Sequence, residues 1–272
     1  MQKVRSRYNV GKIIGKGGFG FVYEGYRISD NTPVAIKMCR RKTVVEWITR
    51  NGTRVPLEVV VLERAQAVAG VVRFYELFED ADEVAMVMER AIGVDLFDYV
   101  PKHVLQEDEA KRIFAQLVRT AIGCDCCGIS HRDIKDENVI YDAGAQRATL
   151  IDFGSASFIN TNDQVFDRFR GTYAFVTPEW LTSRKFGAEA NTVWQLGTCL
   201  YNILQDAIPF DTEYEIVHGK LRWYRKVSHE CADLISWCLR VAPGERFSLA
   251  QVAAHSWVAG EIDKFGGKWQ VA

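Results

Sequence analysis

The chain has 272 residues, 48% of them hydrophobic, which is enough apolar content for one large core or two lobes and too much for a disordered polymer. A net charge of −1 gives no global field to draw in nucleic acid or an acidic membrane, so neither is expected as a partner and any charge selectivity must be local. The opening "MQKVRSRYNV" lacks the apolar core of a signal peptide and no apolar run approaches a membrane span, so a soluble, intracellular chain is expected.

The first distinctive stretch is "GKGGFGFV", Gly15 to Val22. A G-x-G-x-x-G pattern marks a dinucleotide-binding turn only when it follows a strand and opens a helix. Here Val10, Ile13 and Ile14 precede the glycines and Phe21, Val22, Tyr23 and Tyr26 follow them, a β-branched and aromatic pattern that predicts a hairpin. Two readings remain at this point: a structural glycine turn, or a flap whose backbone at Gly15, Gly17, Gly18 and Gly20 lies over phosphates. "PVAIKM", Pro33 to Met38, is a third strand, and it carries Ala35 and Lys37. "NGTRVPLEVVVLERAQAV" is ambiguous, since Val59, Val60 and Val61 favour a strand while Glu58, Leu62, Ala65 and Ala69 lie at helical spacing. Arg73 to Glu89 reads as two further strands.

Beyond the first hundred residues the pattern turns helical. Ile113, Phe114, Leu117, Val118, Ala121 and Ile122 form an apolar stripe opened by Glu107, Asp108 and Glu109, where the helix dipole favours acids. Next comes "CDCC", which holds three of the seven scattered cysteines, Cys39, Cys124, Cys126, Cys127, Cys199, Cys231 and Cys238. With His131 it could form a metal knuckle, but zinc sites usually pair two C-x-x-C units, so small buried thiols at a helix end capped by Gly128 fit better. The odd cysteine count fits reduced thiols.

"HRDIKDEN", His131 to Asn138, is either a solvated charged turn or a catalytic loop. Asp133, Lys135 and Asn138 stand at the spacing of an acid that accepts a hydroxyl proton, a cation beside a transferring phosphoryl group and an amide ligand for magnesium. "LIDFG", Leu150 to Gly154, is either an ordinary strand-end turn or the place where Asp152 holds Mg²⁺. Leu196, Cys199, Leu200, Ile203 and Leu204 mark another helix, and "HECADLISWCLRV" a third.

With the glycine stretch, "VAIK", "HRDIKDEN" and "LIDFG" in this order, the chain resembles a eukaryotic protein kinase from about Tyr8 to Trp257. The resemblance implies an α+β, bilobal fold: an N-lobe at 1–88, a hinge at 89–94 and a C-lobe at 95–272. It implies that ATP and Mg²⁺ are the cofactors, that Lys37 meets the α- and β-phosphates with Glu58 holding it, and that the ambiguous segment is a helix. It also implies Val22, Ala35, Met88, Glu89, Ala91 and Ile140 around the nucleotide, with Asn138 and Asp152 on the metal. Thr177-Pro178-Glu179 resembles the end of an activation segment, and Arg246 the arginine that pairs with that glutamate. Thr172 is similar to the threonine that reaches the catalytic Asp and Lys in serine/threonine kinases.

A closer resemblance, on "ISDNTPVAIK", "NGTRVPLEVVVL", "HRDIKDENVI", "LIDFGS", "VWQLG" and "RKVSHECADLISWCL", is to the PIM family of serine/threonine kinases. Thr192 stands where most kinases have aspartate, and PIM kinases also lack that acid. The resemblance implies basic, Arg/Lys-rich protein substrates, matched here by Asp95, Asp98, Asp136 and Glu137, with Glu213 and Glu215 further along. It also implies a monomer in the cytoplasm, with nuclear access left open.

Two stretches depart from the family. "ERAIGVDLF" after Met88 lacks the hinge proline and is one residue shorter, so Glu89 C=O and Ala91 N–H are both expected to meet adenine. The family carries acidic residues before the G-T, and in "DQVFDRFRGT" Arg168 and Arg170 lie in that neighbourhood. Arg132 is therefore expected to be neutralised by Asp163 or Asp167, or else by phosphate on Thr161 or a nearby serine. The rival function is a pseudokinase scaffold, whose usual mark is loss of the equivalents of Lys37, Asp133 or Asp152; all three are present. A nucleotide-dependent oxidoreductase lacks its βαβ context, and a small-molecule kinase is disfavoured by the peptide-binding segment from Thr172 to Glu179.

Overall fold

The glycine stretch sits in a hairpin, as its flanks predict: β1 (Tyr8–Gly17) pairs antiparallel with β2 (Gly20–Arg27), with Gly17 opposite Gly20. A strand rather than a helix follows the glycines, which removes the dinucleotide-binding reading. The computed structural model describes residues 2–17, 20–103, 105–160 and 164–264. These fall into two compact units, one of residues 1–67 and 71–92, the other of residues 68–70 and 93–272. The division between Ile92 and Gly93 falls inside the stretch expected as the hinge.

The first unit begins with a short helix, α1 (Gln2–Arg5), and is built on a five-stranded sheet. Its strands β3 (Pro33–Arg40), β6 (Phe74–Glu79) and β7 (Glu83–Glu89) join the hairpin in the order β1-β2-β3-β7-β6, all antiparallel. Val34, Ile36, Ala85 and Val87 pack on one face with Val4 and Tyr8. On the other face Cys39, Val84 and Met86 pack with Val55 and Val59. This two-sided burial explains why β7 reads as a nearly continuous apolar run.

Val59 belongs to α2 (Leu57–Arg64), so the ambiguous segment is a helix despite three consecutive valines. Burial of Leu57, Val59, Val61 and Leu62 outweighs their modest intrinsic preference for strand. The start of the same segment is instead a hairpin, β4 (Trp47–Arg50) with β5 (Thr53–Pro56). Asn51 and Gly52 both take positive φ, 51° and 78°, as a two-residue turn matched to strand twist requires.

The second unit is helical around α4 (Glu107–Cys126) and α6 (Ala188–Gln205). Around them lie the strand β8 (Val94–Asp95) and the helices α3 (Leu96–Tyr99), α5 (Pro178–Ser183), α7 (Glu213–His218), α8 (His229–Cys238), α9 (Leu249–Ala254) and α10 (Ala259–Lys264). Small strands carry the loops: β9 (Ile129–Ser130) pairs with β12 (Ser157–Phe158), β10 (Val139–Asp142) lies between β8 and β11 (Arg147–Leu150), and β13 (Val165–Phe166) pairs with β14 (Phe186–Gly187). Glu107 at the start of α4 accepts hydrogen bonds from the Ser228 N–H at 2.7 Å and the Trp257 Nε1–H at 2.7 Å, so the acid that opens the helix also ties it to the C-terminal helices.

Residues 68–70 join the second unit because Gly70 C=O accepts the Leu150 N–H at 2.7 Å and Ala69 C=O accepts the Thr120 hydroxyl at 3.1 Å. Gly70 has φ +87°, and a Cβ there would lie 2.1 Å from the Thr120 oxygen, so only glycine fits. At "CDCC" the expectation of buried thiols holds for Cys124 alone; Cys126 is exposed and Cys127 half-buried, because the helix ends there and turns its last residues to solvent. Gly128 N–H closes the end on Asp125 C=O at 2.8 Å. No helix among the described residues is long and apolar enough to cross a membrane.

Candidate active site

In the first unit the strand pairing brings four of the residues expected around a nucleotide onto one side of the sheet. Val22 pairs with Lys37 and Ala35 with Met88, and directly opposed residues share a face. Lys37, 5% exposed, donates to Glu58 on α2 at 2.7 Å. A buried lysine needs such a partner, so the pair that the sequence placed 21 residues apart is one structural unit. Gly15, Gly17 and Gly20 lie in the hairpin, whereas Gly18 lies outside the described residues. Glu89 N–H is spent on Arg73 C=O at 2.8 Å, and Ala91 follows the end of β7.

In the second unit the loop of residues 131–138 runs between β9 and β10 and is buried except at Lys135 and Glu137. Asp133 is held on both carboxylate oxygens: Oδ1 accepts the Thr172 N–H at 2.8 Å and Oδ2 accepts the Asn138 Nδ2 at 3.1 Å. Thr172 therefore reaches Asp133 through its backbone N–H. Gly171 makes that approach possible, since its φ is +115° and a Cβ would stand 2.5 Å from Arg132 C=O. His131 accepts the Asp133 N–H at Nδ1 (3.2 Å) and donates from Nε2 to Ile151 C=O (3.1 Å), so the ring is neutral; burial holds its pKa down.

Phe153 packs edge-on against this imidazole at 4.5 Å between centroids, linking the two sequence motifs. Asp152 itself sits in a left-handed conformation, φ +57°, with its Oδ1 accepting the Gly154 N–H at 3.3 Å. Such backbone strain at a carboxylate points to a functional position. Ile140 lies on β10, opposite Asp95 of β8. Lys135 pairs with Glu137.

The Arg132 guanidinium packs on aromatic rings and meets a backbone carbonyl. It lies 4.1 Å from the ring centroid of Phe166 and 5.6 Å from that of Phe186, and donates to Arg168 C=O. Asp163 and Thr161 lie outside the described residues. The signal for these aromatic contacts was present in "DQVFDRF", but nothing in its spacing says that Phe166 would stand over a buried cation.

The six acids assigned to substrate differ in what they already do. Asp95 caps α3, accepting the Asp98 N–H at 2.7 Å. Asp136 is buried, burial pushes its carboxyl pKa up, and it accepts from Asn202 Nδ2 at 3.1 Å. Glu215 pairs with Arg222 and accepts the Asp211 N–H at 2.8 Å. Asp98, Glu137 and Glu213 are exposed, the last accepting from the Tyr173 hydroxyl. Thr177 caps α5, and Glu179 in its first turn meets Arg246 through two bonds of 3.0 and 2.9 Å.

Comparison with known proteins matches residues 8–258 to the Protein kinase domain family. The chain is 36% identical over 264 residues to a serine/threonine-protein kinase, pim-2, of Danio rerio, covering 93% of this chain and 84% of that protein. It is 37% identical over 263 residues to the serine/threonine-protein kinase prk-2 of Caenorhabditis elegans, covering 94% of this chain and 59% of that one. With the mouse PAS domain-containing serine/threonine-protein kinase the identity is 31% over 97% of this chain and 19% of the relative.

Proposed function

Because the chain belongs to the protein kinase domain family and is a PIM-type serine/threonine kinase, we propose that it moves the γ-phosphoryl group of Mg-ATP to Ser or Thr hydroxyls in Arg/Lys-rich protein substrates. The observation that carries this is the Asp133 carboxylate, fixed on both oxygens inside a buried loop. A carboxylate so held is oriented to accept the proton of an incoming hydroxyl. Asn138 and Asp152 are hard oxygen donors of the kind magnesium takes, and with Asn138 Nδ2 committed to Asp133, its Oδ1 is the ligand atom. Magnesium, when bound, neutralises charge on the phosphate oxygens. Lys37, steered by Glu58, supplies a fixed cation for the α- and β-phosphates. A scaffold without transfer would be expected to lose one of these groups, and none is lost.

Adenine recognition follows from the hinge sequence: with alanine rather than proline at 91, a donor is kept. The structure of the nucleotide complex is expected to show Ala91 N–H on adenine; adenine bound without it would refute this reading. For the protein substrate, Asp98, Glu137 and Glu213 are the acids left on the surface to favour basic peptides. An arginine-rich serine peptide is expected to be phosphorylated faster than an acidic one. Asp98→Lys should lower its kcat/KM by up to about fivefold, roughly 1 kcal/mol for an exposed charge pair, with a neutral peptide unaffected. Equal rates on basic and acidic peptides would remove the charge preference.

A further inference from the structure

The catalytic acid is flanked by four backbone polar groups in a buried loop, and each has an identifiable side-chain partner. The Asp133 N–H goes to His131 Nδ1 at 3.2 Å, and the Asp133 C=O accepts Asn138 Nδ2 at 2.8 Å. The other two, Arg132 C=O and Ile134 N–H, stand on either side of Asp133 and meet one residue from elsewhere in the fold. Gln195 of α6 donates from Nε2 to Arg132 C=O at 2.8 Å and accepts the Ile134 N–H on Oε1 at 3.1 Å. Its side chain is thus used at both ends, and the residue is 1% exposed.

The loop needs this support. Arg132 has φ +68°, a conformation that costs a non-glycine residue about 1–3 kcal/mol and persists only where the surroundings enforce it. Thr192, one turn earlier, is buried too, but its hydroxyl donates to Ala188 C=O at 3.0 Å within the same helix. The sequence offers a quiet sign: Gln195 interrupts the apolar run "VWQLGTCLY", where a polar side chain is tolerated only if fully bonded.

We infer that Gln195 is a positioning residue for catalysis, its carboxamide clamping the backbone on both sides of Asp133 so that the carboxylate points where the substrate hydroxyl arrives. This rests on the phosphoryl-transfer reading above. Gln195 touches no reacting atom and acts only through the loop.

The test is Gln195→Met, close in shape but without either bond, assayed beside the unmutated chain with Mg-ATP and an arginine-rich serine peptide. The kcat should fall roughly 10- to 100-fold, as for a catalytic group displaced by a fraction of an ångström to an ångström, with KM for ATP and peptide unchanged. Hydrogen exchange should speed up at the amides of residues 132–135 and not along α6. A merely structural role would instead lower the folded fraction and loosen α6, leaving kcat per folded molecule intact, and that result overturns the inference. If Gln195→Met does not fold, Gln195→Asn decides: its carboxamide is one methylene short and cannot span Arg132 C=O and Ile134 N–H together, so kcat should drop, and an unchanged kcat overturns the inference. Failure of the unmutated chain to transfer phosphate would instead sink the underlying reading.

Discussion

Asp133→Asn is expected to lower kcat by about 10²- to 10⁴-fold, the usual worth of a positioned acid–base group, while ATP binding is retained. The effect is chemical and also geometric. Two donors, Thr172 N–H and Asn138 Nδ2, converge on the two oxygens of Asp133. An amide offers one oxygen and one NH₂, so one of those donors would face another donor, a mismatch worth about 1–3 kcal/mol for a buried group. The variant therefore loses the proton acceptor and its orientation together. Nucleotide affinity measured by titration should be near that of the unmutated chain, because the substitution leaves the Lys37–Glu58 pair in place. A variant that kept most of its kcat would mean that Asp133 is not the acceptor.

The largest effect on stability is expected from Glu179→Ala. Arg246, with no exposed side-chain surface, donates twice to Glu179 and also to Ala190 C=O at 2.7 Å and Arg240 C=O at 3.1 Å, with its guanidinium 4.9 Å from the Trp194 ring centroid. Removing the carboxylate leaves a buried cation with only carbonyl partners, and breaking such a pair costs about 3–5 kcal/mol. Replacing both partners, Glu179→Met with Arg246→Leu, should recover much of that loss, since no unpaired charge remains. Urea unfolding would read both. A loss of only about 1 kcal/mol or less for the single variant would be the behaviour of an exposed pair and would contradict the burial that defines this one.

These residues show what a linear pattern can and cannot convey. Motifs that are contiguous or set by strand register were legible: the hairpin around Gly15 to Gly20, the Lys37 strand, the catalytic loop and the helix opened by Glu107 all stand where spacing placed them. Local propensity left Val59 to Val61 ambiguous, and the segment is the helix that the resemblance implied, with Leu57, Val59, Val61 and Leu62 buried. The hairpin of Trp47 to Pro56 carried its own signal in Asn51-Gly52, overshadowed by the valines that follow. Long-range polar partners were legible only where the family resemblance supplied them, as for Lys37 with Glu58 and Arg246 with Glu179. That Asp136 is buried against Asn202, or that Phe166 stands over Arg132, depends on which elements meet, and no residue spacing encodes it. The acids read as a substrate-facing set thus divide into exposed members, Asp98, Glu137 and Glu213, and members that are half-buried or buried, Asp95, Glu215 and Asp136.

The central claim is that this chain transfers the γ-phosphoryl group of Mg-ATP to a serine or threonine hydroxyl. The measurement that tests it most directly is the appearance of labelled γ-phosphate from Mg-ATP on an arginine-rich serine peptide, with the unmutated chain at a concentration where nucleotide binding is confirmed. The account predicts stoichiometric and then catalytic transfer to the serine hydroxyl, lost when magnesium is chelated. Saturated Mg-ATP binding with no label on the peptide would contradict it.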